Sequence, residues 1–347
     1  MKCLYVTADK IGKPNHGGGS VTYNELNFLR ELGETDIVNP SPNNDPFVVD
    51  EEALNIYKKY GRRYEVCHIY SGCFSKLVDA LHNDNCKVSY MAAAHSISIS
   101  RSEHEKFGHP YNFPHLTDPI LWKNYLRGYA SADCLITTST HSKETMESFG
   151  CTNRIELIPH GIPEMPKEIK PIPKRFHVGY LGSIGCDKGL VYLLQAWKML
   201  NYKDAYMTLA GRDTPMLFEM VRQIGGGAIH LAGFAKDISK FYNSCSIYVQ
   251  YSSTEGFGLE ILESMAHGRP VISSTNNCGP DVLGDCGIVA PAMNAKALAD
   301  VIDIYKNSPT LLQEHSENAR EKAKNYTWDK IKEKYLSVWR DLGKHYE

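Results

Sequence analysis

Short apolar runs alternate with helix-patterned segments along this chain, and the alternation occurs twice, once on each side of a proline-rich interruption. Parallel βαβ units produce this rhythm, because a strand in a parallel sheet is covered on both faces while its return helix is apolar on one. The first half predicts strands over 3–8, 66–70, 87–94, 134–138 and 155–158. A helix carrying Val21, Leu26, Phe28, Leu29 and Leu32 follows a loop with Gly17, Gly18 and Gly19, and further helices are expected near 116–130 and 141–149. Pro159, Pro163, Pro166, Pro171 and Pro173 then fall close together. Proline fixes φ and lacks an amide donor, so this stretch suits a linker better than a core element. The pattern restarts with strands over 177–181, 205–210, 230–232, 247–251 and 270–273 and a helix near 189–200. The tail 328–342 reads as a helix with Ile331, Tyr335, Leu336 and Trp339 on one side. At 347 residues the chain suits two domains of about 150 residues each. We expect a Rossmann-like domain over 1–162, a linker over 163–176, a second Rossmann-like domain over 177–327 and a terminal helix over 328–347.

Composition removes several function classes. The formal charge of -2 gives no basic excess for a nucleic-acid surface, so no nucleic-acid partner is expected. None of the 10 cysteines stands in a C-x-x-C pair, so zinc-ribbon and thioredoxin spacings are missing and reduced, buried thiols are expected. The N-terminal apolar run is too short for a signal peptide, and no run approaches membrane-spanning length. A cytoplasmic protein is expected. The run Ile56-Tyr57-Lys58-Lys59-Tyr60-Gly61-Arg62-Arg63 mixes basic and aromatic residues, as a peripheral membrane-facing patch does and as an ordinary solvated helix end also does.

The most informative segment runs from Glu255 through Gly256, Phe257, Gly258 and Leu259 to Glu263, and on to Ile272. A buried strand ends in a polar loop, and a glycine-bearing turn opens a helix. The amides at a helix start have no intrahelical acceptor and carry partial positive charge, so they suit a phosphate. Gly256 and Gly258 allow a ligand close to the backbone. Glu255 and Glu263 suit sugar hydroxyls as acceptors. The plainer reading is a helix start with favourable acidic residues and a solvated Glu263.

Glu255 and Glu263, followed by Ala266-x-Gly268-x-Pro270-Val271-Ile272, resemble the signature of family 4 retaining glycosyltransferases with the GT-B fold. The resemblance continues through Asn276-Asn277-Cys278-Gly279-Pro280-Asp281 and covers nearly the whole chain. It implies two Rossmann-like domains whose parallel sheets face a central cleft. It also implies that Tyr326-Thr327-Trp328-Asp329 opens a helix crossing back to the N-terminal domain. In that family the second glutamate binds the ribose hydroxyls, a role that falls on Glu263, and the first, Glu255, contacts the transferred sugar. Amides around Phe257, Gly258 and Leu259 would meet the diphosphate. A Gly-Arg and a Lys-Gly usually grip the diphosphate from a neighbouring strand end; Lys188 with Gly189 fits the second, but Ser183 stands where the arginine is expected. Arg212 is the candidate replacement cation. The glycine loop with Gly18 and Gly19 would lie against the donor diphosphate or the acceptor, and His95 would face the donor sugar. His141 resembles a strand-to-helix turn residue that caps or packs, and His160-Gly161 resembles a hinge.

The implied reaction moves a sugar from a nucleotide-diphosphate sugar to an acceptor hydroxyl with retention of configuration. It uses neither metal nor cofactor, and Lys188 with the helix-start amides stabilises the departing diphosphate. The acceptor would be a glycan, a lipid-linked sugar or a small molecule, bound by the N-terminal domain, with domain closure about the linker and the crossing helix. Two alternatives stay open. A nicotinamide-dependent oxidoreductase would need G-x-G-x-x-G after the first strand, where this chain has His16-Gly17-Gly18-Gly19-Ser20. A non-catalytic sugar-nucleotide-binding subunit is favoured by Ser183.

Overall fold

The computed structural model describes residues 1–12, 17–43, 45–93, 96–107, 119–183, 185–211 and 214–344. Its contacts divide the chain into two compact units. The first comprises Met1–Ala94, Tyr111–Pro163 and Trp328–Glu347; the second comprises His95–Pro110 and Glu164–Thr327.

The first unit is built on six parallel strands in the order β2-β1-β3-β4-β5-β6. They are β1 (Lys2–Thr7), β2 (Glu34–Val38), β3 (Val66–Ser71), β4 (Lys87–Met91), β5 (Cys134–Thr137) and β6 (Arg154–Leu157). β1 and β5 consist almost wholly of buried residues because helices cover both faces of the sheet. β2 is not among the strands that sequence pattern predicts: it is an edge strand with Glu34, Asp36 and only one buried residue, Val38. The strand expected over 87–94 ends at Met91, and the helix expected from Leu116 is described over Pro119–Ser131.

The second unit repeats the plan with the order β12-β11-β10-β7-β8-β9, again all parallel. Its strands are β7 (His177–Leu181), β8 (Tyr206–Ala210), β9 (Ile229–Gly233), β10 (Ile247–Gln250), β11 (Val271–Ser274) and β12 (Gly287–Ala290). β12, four residues long and begun by glycine, is the second strand that local pattern leaves unseen. The chain order reverses between β7 and β10, so the loops leaving the carboxyl ends of those two strands frame the crevice where ligands of such sheets bind. Side-chain oxygens cap the helix starts: Asp237 accepts from the Lys240 amide and Asn294 from the Ala297 amide. The described cysteine side chains are free and buried.

The last helix, Trp328–Gly343, packs within the first unit. Its backbone enters through Trp328 N, which donates to Ile162 O at 3.0 Å, and the Trp328 indole donates to Ser20 Oγ at 3.0 Å. Farther along, the Trp339 indole donates to Ser89 Oγ at 2.9 Å. His160 and Gly161 lie under Trp328: the rings of His160 and Trp328 are 6.1 Å apart, and a Cβ built on Gly161 would come within 2.8 Å of that indole.

Burial pushes the His160 imidazole down to about 3 from its ordinary value of 6.5. Its folded form therefore stays neutral while the unfolded chain takes up a proton near pH 6.5. The stability tied to this site is complete above pH 6.5 and is lost as the pH falls from there towards 3. Each unit of displacement corresponds to about 1.4 kcal/mol. His160→Asn is expected to lose less stability than the wild type between neutral pH and about pH 4, by roughly 3 kcal/mol, as read from urea unfolding at the two pH values. Equal losses in both proteins would remove His160 as the source. His177 and His267, both lowered chiefly by burial, contribute with the same sign in either protein.

Candidate active site

Beyond β7 the chain makes a 3-10 turn at Cys186–Lys188 before the helix Leu190–Leu200. Gly189 joins them with φ +68, and a Cβ built there would lie 1.8 Å from Tyr251 O. Only glycine lets the turn press so closely on the end of β10. The two loops are also tied by Ser253 N, which donates to Asp187 O at 2.7 Å. This docking brings Lys188 to Glu255, and the ammonium pairs with the carboxylate. Desolvation alone would lower the lysine's affinity for its proton. The carboxylates of Glu255, Asp187 and Glu260 outweigh it and hold the group above the usual lysine range, so Lys188 is a permanent cation.

The loop after β11 braces the turn that follows. Glu255 N donates to Asn276 O at 2.9 Å, Asn276 Nδ2 to Ser253 O at 2.8 Å, and Cys278 N to Phe257 O at 3.1 Å. Asn277, fully buried, accepts from Ser273 Oγ and from Gly279 N, each at 2.7 Å. Gly256 and Phe257 are buried, and Gly258, at φ +93, is the cap of the helix Leu259–Ala266. Three carboxylates sit on this segment. Glu263 accepts from Tyr242 Oη at 3.0 Å. Glu260, which sequence spacing does not single out, has its carboxyl pushed up to about 7 by burial and by the charges of Glu255 and Glu263, against the pull of Lys188. Local pattern shows Glu260 only as a first-turn acid, an ordinary helix-start feature. Its nearness to two other carboxylates is a tertiary fact.

Lys188, Glu255, Gly256, Phe257, Gly258, Leu259 and Glu263 are therefore gathered at the carboxyl ends of β7 and β10 in the second unit. Ser183 is exposed there, and its carbonyl accepts from Tyr180 Oη at 2.7 Å. His95 and Arg212 lie outside the described residues. Gly18 and Gly19 belong to the first unit, at the start of the helix Gly17–Leu32. A Cβ on Gly12 would come 2.3 Å from Gly19 Cα, so the loop leaving β1 folds tightly onto that helix start. His141 lies in the helix Thr140–Ser148, whose cap is Ser139. In the run Ile56–Arg63, Tyr57 is buried and donates to Asp84, and Arg62 pairs with Glu34 and Asp36, so the exposed charge there is chiefly that of Lys58, Lys59 and Arg63. Among the described residues no helix is long and apolar enough to cross a membrane.

Known proteins resemble this chain in sequence and fold. An uncharacterized glycosyltransferase of Haemophilus influenzae is 25% identical over 343 residues, covering 93% of this chain and 96% of that one. Sucrose-phosphate synthase from Thermosynechococcus elongatus superposes with a TM-score of 0.78 at 17% identity, over 99% of each chain. Anabaena HepE, solved in complex with UDP-glucose, superposes with a TM-score of 0.71 at 16% identity over 98% of this chain and 100% of that one. Residues 175–305, which contain the Lys188 turn and the Glu255–Glu263 segment, match the family described as Glycosyl transferases group 1. That region is thus similar to the glycosyl transferases group 1 family, and the chain that carries it has the GT-B fold.

Proposed function

We propose that this glycosyltransferase moves a sugar from a nucleoside-diphosphate sugar to an acceptor hydroxyl with retention of anomeric configuration. The observation that carries the reading is the pairing of Lys188 with Glu255 beside a helix start, at the carboxyl ends of the two strands flanking the chain reversal. In the reaction the bond from the anomeric carbon to the β-phosphate oxygen breaks and a bond to the acceptor oxygen forms. The acceptor's proton passes to the departing phosphate, leaving a glycoside and a nucleoside diphosphate. Negative charge grows on the diphosphate as the bond breaks, and Lys188 and the amides around Gly258 oppose it in a site already organised for that charge. When the diphosphate takes up Lys188, Glu255 is released to accept from sugar hydroxyls. Glu263, steadied by Tyr242, accepts from the ribose. No metal takes part, and a chelator leaves the rate unchanged.

The acceptor is assigned to the first unit. A cavity of about 550 Å³ opens there at the carboxyl ends of β1 and β2, lined by Ala8, Asp9, Ser41, Pro42, Asn43 and Val49. Its polar side chains suit hydroxyl groups and its apolar ones suit the face of a sugar ring.

The test begins with nucleotide sugars of different bases screened by thermal shift, UDP-glucose first because HepE was solved with it. A ligand that binds the folded state alone raises the melting temperature by mass action. Glu263→Ala should then weaken the chosen donor by roughly 10- to 100-fold, the value of hydrogen bonds to a charged acceptor. Unchanged affinity would remove the ribose assignment. Retention is read from the anomeric proton coupling of the product. Ser183, exposed where the family resemblance leads one to expect arginine, favours a second reading as a nucleotide-sugar-binding subunit without turnover. Donor binding with no sugar transferred or released would select it.

A further inference from the structure

The helix Ile97–Phe107 follows β4 in sequence but packs inside the second unit, against the Cys186–Lys188 turn. It brings with it Glu103, only 2% exposed. Tyr192 Oη donates to Glu103 Oε1 at 2.8 Å, and Ser253 Oγ donates to Glu103 Oε2 at 3.0 Å. The two donors come from different places. Tyr192 lies one helical turn beyond Lys188, on the helix that the Lys188 turn opens. Ser253 lies on the loop after β10, just ahead of Glu255. Lys106 Nζ donates to Tyr192 Oη at 2.9 Å, so that hydroxyl is held from both sides by one helix. The same segment reaches the second loop again through Ser96 N, which donates to Thr254 Oγ1 at 2.8 Å.

A buried carboxylate is unfavourable unless its lone pairs are satisfied. Here the satisfying hydroxyls come from the helix that follows Lys188 and from the loop that carries Glu255. We propose that Glu103 is a positioning residue for the transfer reaction. By bridging Tyr192 and Ser253 it fixes the Lys188 turn against the Glu255 loop, so that the cation stands where the diphosphate develops charge, while Glu103 itself touches no substrate. The proposal rests on the reading of Lys188 and Glu255 given above. Glutamine at position 103 has nearly the same volume, but it offers one acceptor oxygen and a donor where two acceptors are needed.

The test compares wild type, Glu103→Gln, Lys188→Ala and the double variant, using the donor chosen by the thermal screen. A displacement of about 1 Å at a remote support lowers turnover on the order of 100-fold. Glu103→Gln is therefore expected to reduce kcat by about 10- to 100-fold with an unchanged melting temperature. In the Lys188→Ala background the same substitution should have no further effect, because the group it positions is gone. Tyr192→Phe and Ser253→Ala should each reproduce part of the loss, and they decide the matter if Glu103→Gln does not fold. Wild-type turnover in Glu103→Gln, or a full additional loss in the double variant, overturns the positioning role while leaving the donor site intact. A wild type that binds no nucleotide sugar overturns both the donor reading and the inference.

Discussion

Lys188→Ala should reduce sugar transfer by about 10²- to 10³-fold, the effect of removing one preorganised charge stabiliser from a developing anion. The expectation follows from what surrounds the lysine. Its ammonium is the partner of Glu255 and the cation that opposes the rise at Glu260, whose carboxyl already sits near 7 because burial and two acidic neighbours disfavour its charge. Without Lys188, an incoming diphosphate meets carboxylates with only backbone amides to offset them. Affinity and rate fall together, because the lost interaction acts on the bound diphosphate and more strongly on the departing one. Lys188→Arg should recover only part of the activity, since a planar guanidinium does not occupy the site of a compact ammonium. Release of radiolabelled sugar from the donor measures both variants. A rate for Lys188→Ala within about threefold of the wild type, well short of the expected loss, would falsify the assignment of the leaving-group cation.

The second large effect concerns stability. Trp339→Ala is expected to destabilise the first unit by about 3–5 kcal/mol, the usual loss when a buried aromatic is cut to alanine. Trp339 is fully buried, its ring centre lies 4.9 Å from that of His68 and 5.4 Å from that of Tyr335, and its indole donates to Ser89 Oγ. Ser89 Oγ also bonds His68 Nδ1 at 2.9 Å, and His68 faces the buried carboxylate of Glu25 at 3.3 Å. Truncating the tryptophan therefore opens a cavity and removes one partner from a buried polar chain. Hydrogen exchange is the direct readout: amides of β3 and β4, which carry His68 and Ser89, should exchange on the order of 10²- to 10³-fold faster. Arg340→Ala, one residue farther along on an exposed face, should change stability by less than about 0.5 kcal/mol. Comparable protection of β3 and β4 in Trp339→Ala and wild type would show that the tail contributes little to the first unit.

Much of this protein is legible in one dimension. Buried parallel strands are short and uniformly apolar, so β1, β5, β7 and β10 stand out, and the repeated βαβ rhythm implies two parallel sheets. Glu255, Gly258 and Glu263 declare themselves by spacing, because a turn that opens a helix needs glycine at one place and the helix repeats its faces at a fixed interval. Lys188 is found only through the family resemblance, by its place before Gly189. β2 and β12 are not legible: the first is a charged edge strand and the second a four-residue one, and both pair through backbone groups that side-chain pattern does not record.

Local pattern was enough for the two-sheet architecture and the position of the loops proposed to hold the donor, since short-range backbone and burial preferences repeat within a few residues. It could not decide which charges are buried together. Glu260 and Glu103 look like any acid on a helix, and their meaning arises only when one helix is packed beside Glu255 and another, about 90 residues upstream in sequence, is folded against the Lys188 turn. Coulombic and desolvation effects depend on distance and burial in space, and those are set by the assembled unit.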